Sequence, residues 1–392
     1  MKEKFNNNIK NIKYFSYYVH DDGYQKRYCD PASKNKIAYI CQVLNYLGYN
    51  VEIISASCTK DQKNAYKGFY KKINDMQRLH MFFTFPWGNI IQKILGYISI
   101  RFFLFMELMK VKKNEKVIVY HSLGYMRLVE LAHRIRKYYL ILEVEEIYSD
   151  VSGNSKLKVK EISFMKSADS YIFSTESLNK LVNKDKKPYV VSYGAYTVEE
   201  DRGCRFKEIL SNKEYEKVIH CVYAGNFDPR KGGGIAAAEV AAFLPANYHV
   251  HILGFGNESD TKKLKDIMTS FAERYKCKVT LDGCLSGEEY IRFIQSCDIG
   301  LNTQNPNADF NATSFPSKIL SYLSNGLRVV SVRIPVVELS EIGGCMYFYN
   351  EQKPEEIAKV ILKIDINEPY NSREIIKNLD NNLKVEMGEL LS

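Results

Sequence analysis

The sequence predicts an α/β protein built from two doubly wound, Rossmann-like domains. Apolar, β-branched runs of strand length alternate with helical-period segments along most of the chain, the pattern of parallel sheets with crossover helices. Glycine-bearing loops follow a strand and precede a helix in both halves, as ligand loops of such sheets do. At 392 residues the chain exceeds what one core usually serves, so two domains are expected, residues 1–195 and 196–371.

In the first half, Ile12 to Val19 reads as a strand broken by His20-Asp21-Asp22-Gly23. Pro31 to Leu47 then has helical spacing, with Ile37, Ile40, Val43, Leu44 and Leu47 on one side and Gly48 as cap, before a strand at Val51–Ser55. Gly23 fits a plain turn or a loop over a ligand at the strand's C-terminal end. Phe82 to Lys110 is the most apolar stretch and holds the only Trp, Trp87. Lys93, Arg101 and Glu107 interrupt it, so it falls short of the roughly 18 to 20 apolar residues that a spanning helix needs. Ile91, Leu95, Ile98, Phe102, Phe105 and Met109 share one helical face, which fits packing on a sheet. An interfacial helix is the second reading, with Lys67, Lys71, Lys72, Lys112 and Lys113 drawn to anionic lipid.

Val117 to Tyr120 reads as a buried strand ending at His121, a histidine that such a tip ordinarily holds by hydrogen bonds. Tyr139 to Asp150 is read as an apolar strand running into acids. Alternation puts Glu143 and Glu145 on one face, with Glu146 and Asp150 just beyond the tip. These carboxylates are either solvated loop acids or hold acceptor hydroxyls and take a proton, with Glu145 and Glu146 the unranked candidates. A helix at Lys160–Ala168 and strands at Ser170–Ser174 and Tyr189–Ser192 complete the first domain, and Tyr193 to Tyr196 reads as the hinge.

In the second half, a strand at Lys217–Ala224 leads through Gly225, Asn226 and Asp228 to Arg230, Lys231 and three glycines, then an alanine-rich helix at Ile235–Leu244. Glycines there let backbone N–H groups approach phosphate, and Arg230 and Lys231 can neutralise its charge. The Walker pattern is absent. A strand at His249–Leu253 ends at Gly254, followed by a helix at Thr261–Tyr275, a strand at Val279–Leu285, a helix at Glu288–Ser296 and a strand at Asp298–Asn302. His249 and His251 share a strand face, but with no third ligand in view they read as surface residues and no metal site is expected. Finally, Ser314 to Val332 describes a short helix opened by Pro316, capped by Gly326 and feeding a strand. Its free N–H groups, with Ser314, Ser317 and Lys318, suit nucleotide phosphates; taken alone, the stretch equally fits a core unit that binds nothing.

These residues carry a resemblance. S-F-P-S-K-I-L-S-Y-L-S-N-G-L-R-V-V at Ser314–Val330 resembles the nucleotide-binding helix of GT-B glycosyltransferases, especially the family 4 enzymes of bacterial capsular and exopolysaccharide synthesis. The series from Val218 to Val332 is similar element for element, and the first half more loosely. The resemblance implies two Rossmann-like domains facing across a cleft, with the tail, residues 372–392, packing back on the first. It implies donor contacts at Gly23, Gly225, Asn226, Arg230, Lys231, Gly254, Ser314, Phe315, Pro316, Ser317, Lys318 and Ser321. It implies a donor-sugar contact at His121 and acids facing the cleft at Glu145 and Glu146. Three positions depart from the family pattern: Asn226 stands for an arginine, Ser321 for a ribose-binding glutamate and Arg328 for a proline.

The expected activity is therefore transfer of a sugar from a nucleotide sugar to a saccharide or lipid-linked acceptor, with retention of configuration. No D-x-D triplet occurs, so a metal-free mechanism without cofactor is expected, the diphosphate being stabilised by Lys231, Lys318 and helix N-termini. Two alternatives share the fold: a nucleotide-sugar epimerase, and a noncatalytic partner subunit that tolerates Asn226 and Ser321.

Composition bounds the rest. A formal charge of +9 favours anionic partners such as nucleotide sugars or an acidic membrane surface. No dense basic block or nucleic-acid module occurs, so nucleic acid is not expected. An apolar fraction of 45 % suits a sizeable core, and the 29 Tyr and 20 Phe include possible sugar platforms. The 9 cysteines form no C-x-x-C pair; Cys41, Cys58, Cys221 and Cys297 read as small core residues of a reducing compartment. The N-terminus lacks an apolar signal region, and a cytoplasmic protein, at the inner face of the membrane in the second reading above, is expected.

Overall fold

The structure, a computed structural model, describes residues 10–20, 25–152, 155–202, 218–228 and 232–392. The chain divides into two compact units, one of Met1–Ala195 with Asn381–Ser392 and the other of Tyr196–Asp380.

The first unit is built on an eight-stranded sheet in the order β3-β4-β2-β1-β5-β6-β7-β8. Its strands are β1 (Lys10–Ser16), β2 (Tyr49–Ser55), β3 (Phe69–Asn74), β4 (Gln77–Met81), β5 (Lys116–Tyr120), β6 (Tyr139–Val144), β7 (Ser170–Phe173) and β8 (Tyr189–Val191). All neighbours pair in parallel except β3 and β4, a hairpin that closes the edge. The crossovers are α1 (Pro31–Tyr46), α2 (Ile90–Met109), α3 (Met126–Arg136), α4 (Tyr148–Ser152), α5 (Ser155–Met165) and α6 (Glu176–Val182). Local chemistry sets their ends. Asp30 caps α1 by accepting from the Ser33 N–H at 2.8 Å, and Pro31 fills the first position, where no N–H is missed. Asn89 and Gln92 form a reciprocal capping box on α2.

Phe15, Val117, Val119, Leu140, Leu142 and Val144 point from the sheet into a core completed by Ile100, Leu104, Leu108 and Phe164. Each such side chain contributes about 1.5–3 kcal/mol by leaving water. The face of α2 that packs here differs from the expected one. Phe105 and Met109 do lie against the core, but Ile91, Ile98 and Phe102 remain 66 %, 59 % and 58 % exposed, with Leu95 exposed beside them. The helix is apolar almost all round, so periodicity could not choose its buried side; the Ile100, Leu104, Leu108 stripe wins at i, i+4 spacing.

The second unit carries a six-stranded, all-parallel sheet in the order β11-β10-β9-β12-β13-β14. The strands are β9 (Ile219–Asn226), β10 (Tyr248–Phe255), β11 (Lys278–Gly283), β12 (Ile299–Asn302), β13 (Arg328–Val332) and β14 (Met346–Tyr349). The helices are α7 (Gly233–Val240), α8 (Glu258–Phe271), α9 (Gly287–Gln295), α10 (Ser317–Ser324), α11 (Pro335–Glu338) and α12 (Pro354–Ile361). The order reverses between β9 and β12, the switch point at which ligands bind in open sheets of this kind. The last helix, α13 (Ser372–Leu391), starts in this unit, where Arg373 donates to Asn325 O. It ends in the first, where the Tyr49 hydroxyl and Lys116 Nζ both donate to Leu391 O.

Every cysteine among the described residues is free; Cys41, Cys221 and Cys297 are buried and Cys58 half-buried. No helix among the described residues is long and apolar enough to cross a membrane.

Candidate functional site

At the C-terminal edge of the second sheet, the ends of β9 and β10 approach so closely that only glycine fits. Gly254 stands opposite Gly225 in register, with φ +146°, and a Cβ on it would lie 1.8 Å from the Gly225 carbonyl oxygen. Tyr223 fills the space below. Its hydroxyl donates to Asn226 O at 2.8 Å, and a Cβ on Gly233 would meet its ring at 2.6 Å. The ring is buried and carries Lys318, whose ammonium lies 4.7 Å from the ring centre. The same lysine's Cε would sit 3.5 Å from a Cβ on Gly225. Lys318 thus reaches the Gly225 turn from the first turn of α10.

Around it, Phe315 and Pro316 are buried, Ser314 is half-buried and Ser317 is exposed, so the opening of α10 faces outward while its anchor packs inward. Asn226 is committed to its own turn, its Oδ1 accepting from the Asp228 N–H at 2.7 Å. Ser321 Oγ lies 3.0 Å from the Tyr290 hydroxyl. A hollow of about 730 Å³ opens beside these strand ends, lined by Asn226, Asp228, Phe255, Gly256, Asn257, Asp260 and Lys263. Gly225, Asn226, Gly254, Ser314, Phe315, Pro316, Ser317 and Lys318 therefore gather at one edge of one sheet. Gly23, Arg230 and Lys231 lie outside the described residues.

In the first unit the predicted strand over Tyr139–Asp150 stops at Val144, and residues from Tyr148 turn into α4. Glu145 and Glu146 sit in the intervening loop because the strand's hydrogen-bonded partners run out: β7 ends at Phe173, opposite Val144. Glu143, still inside the strand, is fully buried and receives the Tyr14 hydroxyl. Burial first, then the adjacent Glu145, pushes its carboxyl pKa well above the usual range. Glu145 is clamped by Lys36 at 2.6 Å, and the same ammonium donates to Ser192 O. Glu146 is half-buried. Asp150 pairs with Lys158 at 2.7 Å.

His121 ends β5, its backbone N–H bonded to Glu143 O at 2.8 Å. Its ring is 1 % exposed, stacked between Tyr148 and Phe164, with Nε2 at 3.5 Å from Glu161 Oε1. Burial pushes its pKa down to about 3, so the imidazole is neutral. Glu161 accepts the Tyr148 and Ser149 N–H groups and the Ser149 hydroxyl, which fixes α4 against α5.

Sequence reading missed Tyr14, Lys36, Glu161 and Tyr223. Glu161 fell inside an expected helix and Tyr223 inside an expected strand, but nothing in their spacing marks them, since each acts through a partner distant in the chain. His251 also differs from its expectation. It is 1 % exposed rather than a surface residue, because its ring packs against Phe293 of α9 and against the His220 and His249 rings.

No family model matches the chain, and no curated protein matches it. Solved structures do. A sucrose-phosphate synthase from Thermosynechococcus elongatus superposes with a TM-score of 0.70 at 12 % identity, covering 97 % of this chain and 98 % of that one. An E. coli structure described as trehalose-6-phosphate bound with UDP-2-fluoro glucose gives 0.67 at 10 % identity, covering 97 % and 98 %. Anabaena HepE in complex with UDP and glucose gives 0.63 at 14 % identity, covering 97 % and 99 %. The chain thus shares with them a fold of two α/β domains with parallel, Rossmann-like sheets, the architecture of GT-B glycosyltransferases.

Proposed function

We propose that the protein is a glycosyltransferase that takes its sugar from a nucleoside diphosphate sugar, without a catalytic metal, and passes it to a saccharide or lipid-linked saccharide in surface polysaccharide synthesis. The observation that carries this reading is the Lys318, Gly225 and Gly254 arrangement. A cation, an outward-facing helix N-terminus and two side-chain-free turns converge at the C-terminal edge of a parallel sheet, the chemistry a diphosphate requires. Uridine is the first base to test, because UDP, UDP-glucose or a UDP-sugar analogue is named with several of the similar structures.

In this reading Lys318, with Lys231 and Arg230 from the preceding loop, binds the diphosphate, and Ser314, Ser317 and Ser321 complete the donor contacts. The acceptor hydroxyl oxygen bonds to the anomeric carbon as the bond from that carbon to the diphosphate oxygen breaks. With retention of configuration, the departing phosphate oxygen takes the acceptor's proton, and no dedicated base is needed. Glu145, clamped by Lys36, and Glu146 then hold acceptor hydroxyls just beyond the end of β6. His121, buried and stacked on Tyr148 and Phe164, then supports that edge of the sheet from within and does not itself touch the sugar.

The exposed face of α2 supports peripheral attachment to an anionic membrane, where a lipid-linked acceptor would lie. Ile91, Ile94, Leu95, Ile98 and Phe102 are exposed beside Lys93, Lys112 and Lys113, the composition of an interfacial helix.

The test is Lys318→Ala in the full chain: loss of nucleotide binding with an unchanged melting temperature supports the reading. Unchanged affinity for every nucleotide removes its main support.

A further inference from the structure

Away from the donor edge, the second sheet gathers three histidines that the proposed reaction does not use. His220 and His249 are the second residues of β9 and β10 and stand opposite each other in register. His251 follows two residues along β10, on the same face. One ring nitrogen of each lies within 4.8 Å of the other two. Gly225 is five residues up β9, roughly 16 Å away at about 3.3 Å per residue, so this group is separate from the donor contacts.

The surrounding hydrogen bonds set the protons. Asp282 Oδ2 lies 3.1 Å from His251 Nδ1 and accepts the Thr280 hydroxyl at 2.8 Å. A carboxylate only accepts, so His251 carries its proton on Nδ1 and keeps a lone pair on Nε2. That Nε2 faces His220 Nδ1 at 2.9 Å. Thr280, its own proton given to Asp282, accepts from His249 Nε2 at 3.0 Å, which leaves the lone pair of His249 on Nδ1. Carboxylate and hydroxyl partners on the outer nitrogens are the arrangement that orients imidazoles toward a metal and raises their basicity.

We propose that His220, His249 and His251 bind one zinc ion, with Asp282 and Thr280 orienting the rings and water filling the fourth position. Three imidazoles suit zinc at about 2.0–2.1 Å per bond, whereas calcium and magnesium require oxygen ligands. Small ring rotations draw nitrogens within 4.8 Å to the spacing of a tetrahedral site. The ion would clasp β9 to β10 and, through Asp282 and Thr280, the edge strand β11. It is structural, and takes no part in sugar transfer.

The test uses untagged full-length protein carrying Cys284→Ser, which removes an exposed thiol that could take zinc adventitiously. The protein is stripped with a chelator and titrated with zinc against a chromophoric competitor. The expected result is one zinc per chain, a higher melting temperature with the ion bound, and visible absorption of a four-coordinate site when cobalt replaces zinc. His249→Gln and His220→Gln, at half-buried positions, should each weaken zinc at least about 100-fold, and Asp282→Asn about 10- to 100-fold, with nucleotide affinity unchanged. The proposal is overturned if the parent protein shows no saturable one-to-one zinc binding, or if both histidine variants keep it. Because the parent titration needs no folded variant, misfolding of a mutant does not rescue the idea.

Discussion

Lys318 rests over the ring of Tyr223, its ammonium 4.7 Å from the ring centre, and Tyr223 in turn occupies the space that side chains at Gly225 and Gly233 would need. One tyrosine therefore places the cation and keeps two backbone turns bare beside it. Alanine at 318 should weaken nucleoside diphosphate binding by about 10- to 100-fold, the loss of about 1.5–3 kcal/mol expected for a charge-assisted contact. Calorimetric titration of the variant measures this, and a melting temperature equal to the parent's shows that the loss is one of binding.

Gly254→Ala should act on stability. Its φ of +146° disfavours any side chain, and the new methyl would meet the Gly225 carbonyl at 1.8 Å. A loss of at least about 2 kcal/mol in urea unfolding is expected. A variant as stable as the parent would show that β9 and β10 do not meet as described.

Burial of His121 predicts a particular acid response. An unfolded histidine takes up a proton near pH 6.5, whereas folded His121, pushed down to about 3 by burial, does not until far lower pH. Below about pH 6.5 the unfolded state gains the proton and the folded state does not, so stability falls by about 1.4 kcal/mol per pH unit. Glu143 acts in the opposite sense: its raised folded pKa contributes stability at low pH that is lost as pH rises above the ordinary carboxylate value. Urea unfolding from pH 7 to 4 should therefore be flatter for His121→Gln than for the parent. Parallel curves would mean that His121 is charged, or reached by water, in the folded protein.

Most of the fold was legible because strands of parallel sheets announce themselves as apolar runs. Val117–Tyr120 and Arg328–Val332 need no partner to be recognised. The cluster at the C-terminal edge of the second sheet was legible as two separate short stretches, Gly225 to Asn226 and Ser314 to Lys318, each marked locally by a loop beside a strand or helix end; that they meet is set by the register of the sheet. What escaped was set by distant contacts. Tyr139–Asp150 reads as one strand, but β7 stops pairing at Val144 and the rest becomes loop and helix. The burial of α2 depended on which of two apolar faces met the sheet, and three histidines converge only because β9 and β10 align in register.

The exposed face of α2 yields a further prediction. Replacing Ile94, Ile98 and Phe102 together by glutamate should reduce binding to vesicles rich in anionic lipid by more than about 10-fold, read by co-sedimentation. Stability should change by no more than about 0.5 kcal/mol per site, because these side chains already face solvent. Undiminished vesicle binding would assign the face to something other than lipid.

The assignment of Lys318, Gly225 and Gly254 to a nucleotide sugar is tested most directly by titrating the protein, without added metal, with UDP, GDP, CDP and their common sugar conjugates while following its melting temperature. One nucleotide family should raise it in a saturable way, and Lys318→Ala should shift that rise to about 10- to 100-fold higher ligand concentration. If no nucleotide or nucleotide sugar stabilises the parent protein, the donor site assigned to Lys318, Gly225 and Gly254 does not exist.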